Sequence, residues 1–494
     1  MRPLLLLALI SPSLASSQTN PAALTITEAD VHRRVFLIAD DSMGGRDTPS
    51  PGLEKTAAYV AREFKRMGLK PGGTNGYVQR YGIRLRELNS AASGMSLADG
   101  RGNTVKLAYG ADLKPVFGLP RALDTETPLV LLAGPIALTS SFDIAALTGR
   151  AIVWVAPPGG RPNFVAVVSL ATAIKAPFVL QVMGDSAFAA LKVAAGEVVT
   201  ADSVGWPAVI AVRESAVVSQ YAEAGNEFAR LREATVAGAT EPPGWKATAH
   251  TVYSRDDRVS VPNIIGIVPG TDPKLKNEYL VVTAHMDHVG SRCRGADGPD
   301  KICNGADDNA SGTTGVLELA EAFANPAARP KRSIIFSTIS GEERGLWGSQ
   351  YLAEHPPVPI GQIVANINMD HLGRNWRDSI VVIGTEHSDL GATVTRVRQA
   401  HPEVGVSPLP DQWPTEQIYF RSDHYNFARL GVPILFFTNG FHADYHAVTD
   451  SPDKIDAEKE SRVLRFMFYV IRDVANAAAK PVWRPESYQM IVRK

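Results

Sequence analysis

The feature that most restricts the fold of this chain is a rhythm in its second half. From about residue 246, short apolar runs alternate with amphipathic ones: "EYLVVTAH", "TTGVLELAEAFA", "RSIIFSTIS", "LWGSQYLAEH", "IVANINM". "SIVVIG", "LGATVTRVRQAH" and "VPILFFT" continue it, and "AEKESRVLRFMFYVIRDVANAAA" has the period of a long amphipathic helix. Strands that are apolar at every residue, not every second one, are covered on both faces. Their alternation with helices predicts an α/β fold, a mostly parallel mixed sheet flanked by helices.

The remainder has a different texture. "EADVHRRVFLIAD" and "LEKTAAYVAREFKRMGL" carry apolar residues at helical spacing, the second ending at Gly68. Residues 110–245 are rich in Val and Ala and poor in His, with short runs such as "LVLLAG", "AIVWVAPPG" and "PFVLQVM" between turns. They read as a separate β-rich domain. A chain of 494 residues accommodates both. Residues 18–109 and 246–494 then form the main domain, and 110–245 an insert.

The first 17 residues, "MRPLLLLALISPSLASS", combine a basic start, an apolar stretch and a small-residue cleavage site. They predict a secretory signal peptide and export to the periplasm or the exterior. No run is long and apolar enough to span a bilayer, so no stable membrane insertion is expected. The formal net charge of −1 provides no basic field to attract nucleic acid. Cys293 and Cys303 are the only cysteines, and in an exported chain a local disulfide between them is expected.

In open α/β sheets, ligands bind beyond the carboxyl ends of the strands. There the sequence carries His285-Met286-Asp287-His288, Glu342-Glu343, Asp370-His371, and His446 in "HADYHAVTD". "CNGADDNASGTTG", with Asp307 and Asp308, opens a helix between the first two of these strands. Each cluster alone has an ordinary explanation, as a helix cap or a solvated turn. Together they place many charges against buried strands, which is costly unless the charges are paired or bind metal. Two histidines with three carboxylates suit zinc. Five donors exceed the three protein ligands of a catalytic zinc, but they serve two ions if one carboxylate bridges. Asp308 is the natural bridge, and Asp307 is expected to order the loop.

The pieces "AHMDHVG", "NGADDNASG", "GEERGLWGSQYL", "NMDHLG", "RSDHYNFARLGVP" and "DYHAVTDSPDKI" resemble the secreted di-zinc aminopeptidases of the bacterial leucine aminopeptidase and glutamate carboxypeptidase superfamily. "DDSMGGRDTPSPG" extends the likeness toward the N-terminus, and "LTGRAIVWVAPP" and "KAPFVLQV" resemble a protease-associated domain. The resemblance implies a zinc-exopeptidase fold, two zinc ions, and peptide substrates with a free N-terminus. It implies that His285, Asp308 and Asp370 hold one ion, and Asp308, Glu343 and His446 the other. Glu342 would be the general base, Asp287 would orient His285, and Tyr445 would donate to the oxyanion. Asp423 and His424 match a motif near the substrate pocket. A carboxypeptidase or dipeptidase of the same superfamily would use a cation such as Arg421 or Arg374. A non-catalytic peptide-binding protein would be expected to lack a ligand or the base, and none is missing. Trp376, Trp413, Tyr419 and Phe420 are candidate pocket walls.

Overall fold

The computed structural model describes residues 19–492, apart from 118–122, 138–139, 156–163, 192–196 and 202–206. The expected signal peptide lies outside the described residues. The chain divides into two units: residues up to Gln79 together with Pro262 onward, and Arg80–Val261.

The sheet of the first unit contains β1 (Tyr253–Val268, through its C-terminal part), β2 (Tyr279–His285), β3 (Ser333–Ile339) and β4 (Ile363–Asp370). It continues through β5 (Ser379–Ile383), β6 (Ser407–Leu409) and β7 (Ile434–Thr438). The strand order is β6-β5-β7-β4-β2-β3-β1. The core of this order, β7-β4-β2-β3, is parallel throughout. Antiparallel pairs β1–β3 and β5–β7 flank it, so the expected mixed, mostly parallel sheet is borne out. Every residue of β3 and β4 is buried, as their unbroken apolar runs require.

The helices around this sheet are α1 (Glu28–Ile38), α2 (Pro51–Arg66), α3 (Gly312–Ala324), α4 (Trp347–Glu354), α5 (Leu390–Ala400) and α6 (Ala457–Asn476). Side chains cap three of them: Thr27 accepts from Asp30 N, Ser50 from Leu53 N, and Asp456 from Lys459 N. Pro51 occupies the first turn of α2, and Gly68, at φ +75°, lies just past its end. Helix α1 packs on α3 and α6, and Phe323 meets Phe468 at 4.7 Å between ring centroids.

The second unit has its own core. Strands Leu123–Ala133, Ala151–Val155, Phe178–Met183 and Ala208–Arg213 lie side by side and parallel. Successive residues face opposite sides. Leu131, Val153, Leu180 and Ile210 pack in one cluster with Phe228 and Leu231, while Val130, Ile152, Val179 and Val209 pack in another with Val167 and Ala171. Helices Ala222–Glu233 and Phe164–Ala173 supply those covering residues. The unit is therefore strand-rich with helices on both faces. The run "FVAVVSLATA" shows no one-sided period because nearly every position is apolar. The unit is longer than 110–245 because Gly94–Ala98, Thr104–Ala108 and Lys246–His250 pair into its sheet. Among the described residues, no helix is long and apolar enough to cross a membrane.

Candidate metal centre

Strands β2 and β4 deliver His285 and Asp370 at adjacent carboxyl ends. Beyond β3, a turn carries Glu342 and Glu343, and beyond β7 a loop carries Tyr445 and His446. The fifth contribution is the Ala306–Ser311 turn before α3, where the Asp308–Asn309 peptide bond is cis. Gly305 must be glycine: its φ is +55°, and a Cβ there would stand 2.2 Å from the Asp308 carbonyl oxygen and 2.4 Å from the His288 ring.

The two oxygens of the Asp308 carboxylate face different partners. Oδ1 is 3.4 Å from His285 Nε2, which lies 3.3 Å from Asp370 Oδ1. Oδ2 is 3.1 Å from His446 Nε2, which lies 3.1 Å from Glu343 Oε2. Donor atoms of His285, Asp308 and Asp370 all fall within 4.8 Å of one another, as do those of His288, Asp308, Glu343 and His446. Zinc bonds of 2.0–2.2 Å set neighbouring tetrahedral donors about 3.3–3.6 Å apart, close to these spacings. His446 Nε2 is buried yet makes no hydrogen bond. An orphaned imidazole nitrogen between two carboxylates fits a cation.

The neighbours of these groups hold them in place. His285 Nδ1 donates to the Asp287 carbonyl at 3.1 Å, so Nε2 presents its lone pair. The Asp287 carboxylate is 3.7 Å from the same Nδ1. It also accepts from Thr48 Oγ1 at 2.9 Å and from the Glu342 amide at 3.3 Å, which ties the Glu342 turn to the end of β2. Asp307 accepts from Gly373 N at 2.6 Å and faces His442 Nε2 at 3.3 Å, so it orders the loop as expected from sequence.

Three contributors escaped sequence reasoning. Asp450 accepts from the Asp307 amide at 3.1 and 3.2 Å and from the Asp308 amide at 3.1 Å, fixing the acidic turn. Buried Arg46 donates to the carbonyls of Ile38, Met286, Asn304 and Gly305. His288 Nδ1 lies 2.9 Å from Glu343 Oε1 and steers the other oxygen toward His446. All three fall inside motifs quoted above, but apart from Arg46 to Ile38 their hydrogen bonds span 55 to 259 residues, which leaves no local spacing signal.

The charges balance through these contacts. Burial alone would raise the Asp308 carboxyl, but the imidazoles of His371, His288 and His446 hold it well below the ordinary range. Burial and Asp308 push Glu343 upward, and His446 and His288 outweigh them, bringing it to about 2. Glu342 goes the other way: burial raises it well above its ordinary value, helped by Glu343, Asp423 and Asp370 against His285. Burial lowers Arg46 to about 10, so it stays charged at neutral pH.

Asp308, Glu342, Glu343 and Asp370 line one open cleft of about 460 Å³. Tyr445 lines it too, its ring stacked 4.0 Å from that of His446. The apolar wall is Ile418, Phe436 and Phe441. The four aromatic residues suggested from sequence are not among the lining residues; Tyr419 is packed inside at 5% exposure, and Trp376 pairs with Trp413 at 6.0 Å. His424 is fully buried, with Nε2 2.7 Å from the Tyr419 carbonyl. Asp423 beside it is buried as well, its carboxyl raised to about 7 by burial.

Residues 263–471, which carry all of these metal-facing side chains, match the profile of peptidase family M28. This part of the chain belongs to family M28. The chain is 28% identical over 206 residues to a probable leucine aminopeptidase of Arthroderma otae, covering 40% of this chain and 53% of that protein. It is 29% identical over 211 residues to leupeptin-inactivating enzyme 1 of Streptomyces exfoliatus, covering 42% of each. The chain thus spans about half the length of these curated relatives. An aminopeptidase from Aneurinibacillus sp. strain AM-1 superposes with a TM-score of 0.55 at 18% identity, covering 94% of this chain and 97% of that one. A zinc aminopeptidase from Bacillus subtilis gives 0.50 at 17% identity, covering 92% and 97%. At these identities the likeness is one of fold.

Proposed function

We propose that the chain is a di-zinc aminopeptidase that removes the N-terminal residue of peptides. The observation that carries this reading is the divided Asp308 carboxylate, with one oxygen in each of two donor sets. His285, Asp308 and Asp370 would hold one zinc, and Asp308, Glu343 and His446 the other. Bound zinc would supply a Lewis acid and a water of lowered pKa.

The chain's own groups do the rest. Glu342, anchored through its amide by Asp287, accepts the proton of the attacking water and passes it to the departing amine. Tyr445 donates from its hydroxyl to the developing oxyanion, a contact of a kind worth about 2.7–4 kcal/mol. Carboxylates around the cleft receive the substrate's α-ammonium. Ile418, Phe436 and Phe441 receive an apolar N-terminal side chain. The second unit is a protease-associated-like insert, and the protein is exported; the Cys293–Cys303 disulfide supports an oxidising location.

The test is zinc content together with hydrolysis of leucine p-nitroanilide and of its N-acetyl derivative. Two zinc ions per chain, loss of activity in chelator, recovery with zinc and no turnover of the blocked substrate are expected. Activity that persists in chelator would refute the metal mechanism.

A second reading, a carboxypeptidase or dipeptidase, rests on Arg421. It lines the cleft, 3.4 Å from Glu416, whereas Arg374 is committed to Asp444 at 2.8 Å. That enzyme would cleave an N-acetylated dipeptide with a free carboxylate.

A further inference from the structure

Another imidazole faces Asp308 and Asp370 besides that of His285. His371 follows Asp370 at the end of β4, with φ +59°, and is 4% exposed. Its Nδ1 lies 2.9 Å from the Gly440 carbonyl. A carbonyl only accepts, so Nδ1 carries a proton, and a ring without a second proton presents the lone pair of Nε2. That nitrogen stands 3.5 Å from Asp308 Oδ1 and 3.4 Å from Asp370 Oδ1. These are the same oxygens that His285 Nε2 meets at 3.4 and 3.3 Å.

A lone pair held against two carboxylate oxygens in a buried site is repulsive unless something positive stands between them. Either a second proton on the ring or a cation meets that need. The position of the ring favours the cation, because its Nε2 meets the same two oxygens as the Nε2 of His285, a proposed ligand. One nitrogen is fixed by a backbone carbonyl while the other converges on carboxylates, which is how metal-binding histidines are oriented. His285 is tethered in the same way, through the Asp287 carbonyl. His442, by contrast, accepts the Asp444 amide at Nδ1 at 3.2 Å. Its Nε2 therefore carries the proton and donates toward Asp307, which removes it as a ligand.

We propose that His371 is a further protein ligand of the cation held by His285, Asp308 and Asp370. The proposal rests on the two-cation reading of the centre. That cation would then have four protein donors.

The experiment is a zinc titration of chelator-stripped protein against a competing chromophoric chelator, for wild type, His371→Leu and His371→Asn. One of two zinc affinities is expected to fall about 10- to 100-fold in the variants, with the other unchanged. The visible absorption of the cobalt-substituted protein should change in parallel. If His371 is instead a charged counter-ion, its removal strips a positive group from beside the cations. Both affinities then hold or tighten, and the assignment is overturned. Wild type binding fewer than two ions overturns the two-cation reading itself. Wild type binding two, with unaltered variants, overturns only the role of His371. Circular dichroism of the zinc-free proteins checks folding, and whichever variant folds as wild type decides the result.

Discussion

The two units solve the same packing problem with opposite attitudes to charge. Each has parallel strands buried on both faces and covered by helices. Among the described residues, the inserted unit buries only Ser93, Thr127, Gln181 and Thr251 as polar side chains within 80–261, and no charged one. The first unit buries Arg34, Arg46, Asp287, Asp307, Asp308, Glu318, Arg332, Asp370, Asp423, Asp450, Lys459 and Glu460, besides its histidines. A core needs no buried charge for stability, because burying a charge costs several kcal/mol unless it is compensated. The contrast locates the chemistry without reference to any motif: the unit that tolerates desolvated acids is the one with a use for them.

The largest effect that would break this contrast is catalytic. Glu342→Gln keeps size and the backbone anchor to Asp287 but cannot accept a proton. Turnover should fall at least ~10²–10⁴-fold while zinc content stays at the wild-type value. Steady-state kinetics with elemental analysis of the same sample checks both. Turnover near wild type would leave Glu342 as one more buried acid with no assigned task.

The next effect falls on the other unit. Phe228 is 1% exposed and packs in the core that also holds Leu131 and Ile210. Phe228→Ala should cost about 3–5 kcal/mol of stability in that unit, read by urea unfolding. Zinc per folded chain and kcat on a small aminoacyl substrate should be unchanged. If zinc content fell with stability, the two cores would not be separable in the way their charge patterns imply.

The extent to which the molecule is legible from its residues follows the same divide. Strands such as "RSIIFSTIS" and "IVANINM" declare themselves because total burial demands apolar side chains at every position, and their ends point to His285, Glu342 and Asp370. Helix α6 is legible from its amphipathic period, although the structure buries Phe466–Ile471 on every side of it. The insert is harder to read. Its helix "FVAVVSLATA" looks like a strand by composition, and its outer strands reach into segments on either side of 110–245. In the centre, ligand-type residues stand out by chemistry and position. Arg46, His288 and Asp450 do not, because their work is done by hydrogen bonds to backbone and side chains distant in sequence. The apolar wall differs from the reading of the sequence: Trp376, Trp413, Tyr419 and Phe420 are the candidates there, yet Ile418, Phe436 and Phe441 line the cleft.

The smallest effect concerns a buried acid that no proposed step uses. Glu460 lies in the first turn of α6, fully buried, and neither carboxylate oxygen has a hydrogen-bond partner. Burial, with the charges of Asp307 and Glu318, raises its carboxyl well above the ordinary value, against the pull of Lys459. The folded protein therefore holds a proton that the unfolded chain releases near pH ~4.3. Since the folded state binds more protons above that point, stability falls as pH rises, until the raised folded value is passed. Glu460→Gln cannot ionise and should abolish this decline. Below about pH 4 the variant and wild type should nearly coincide; above it the variant should gain on wild type by up to about 1.4 kcal/mol per pH unit until the raised folded value is passed. Thermal unfolding from pH 5 to 8 at saturating zinc measures the difference, with metal linkage common to both proteins. Parallel curves would mean that Glu460 is compensated in the fold, and that charge burial in the first unit is better satisfied than its hydrogen bonds suggest.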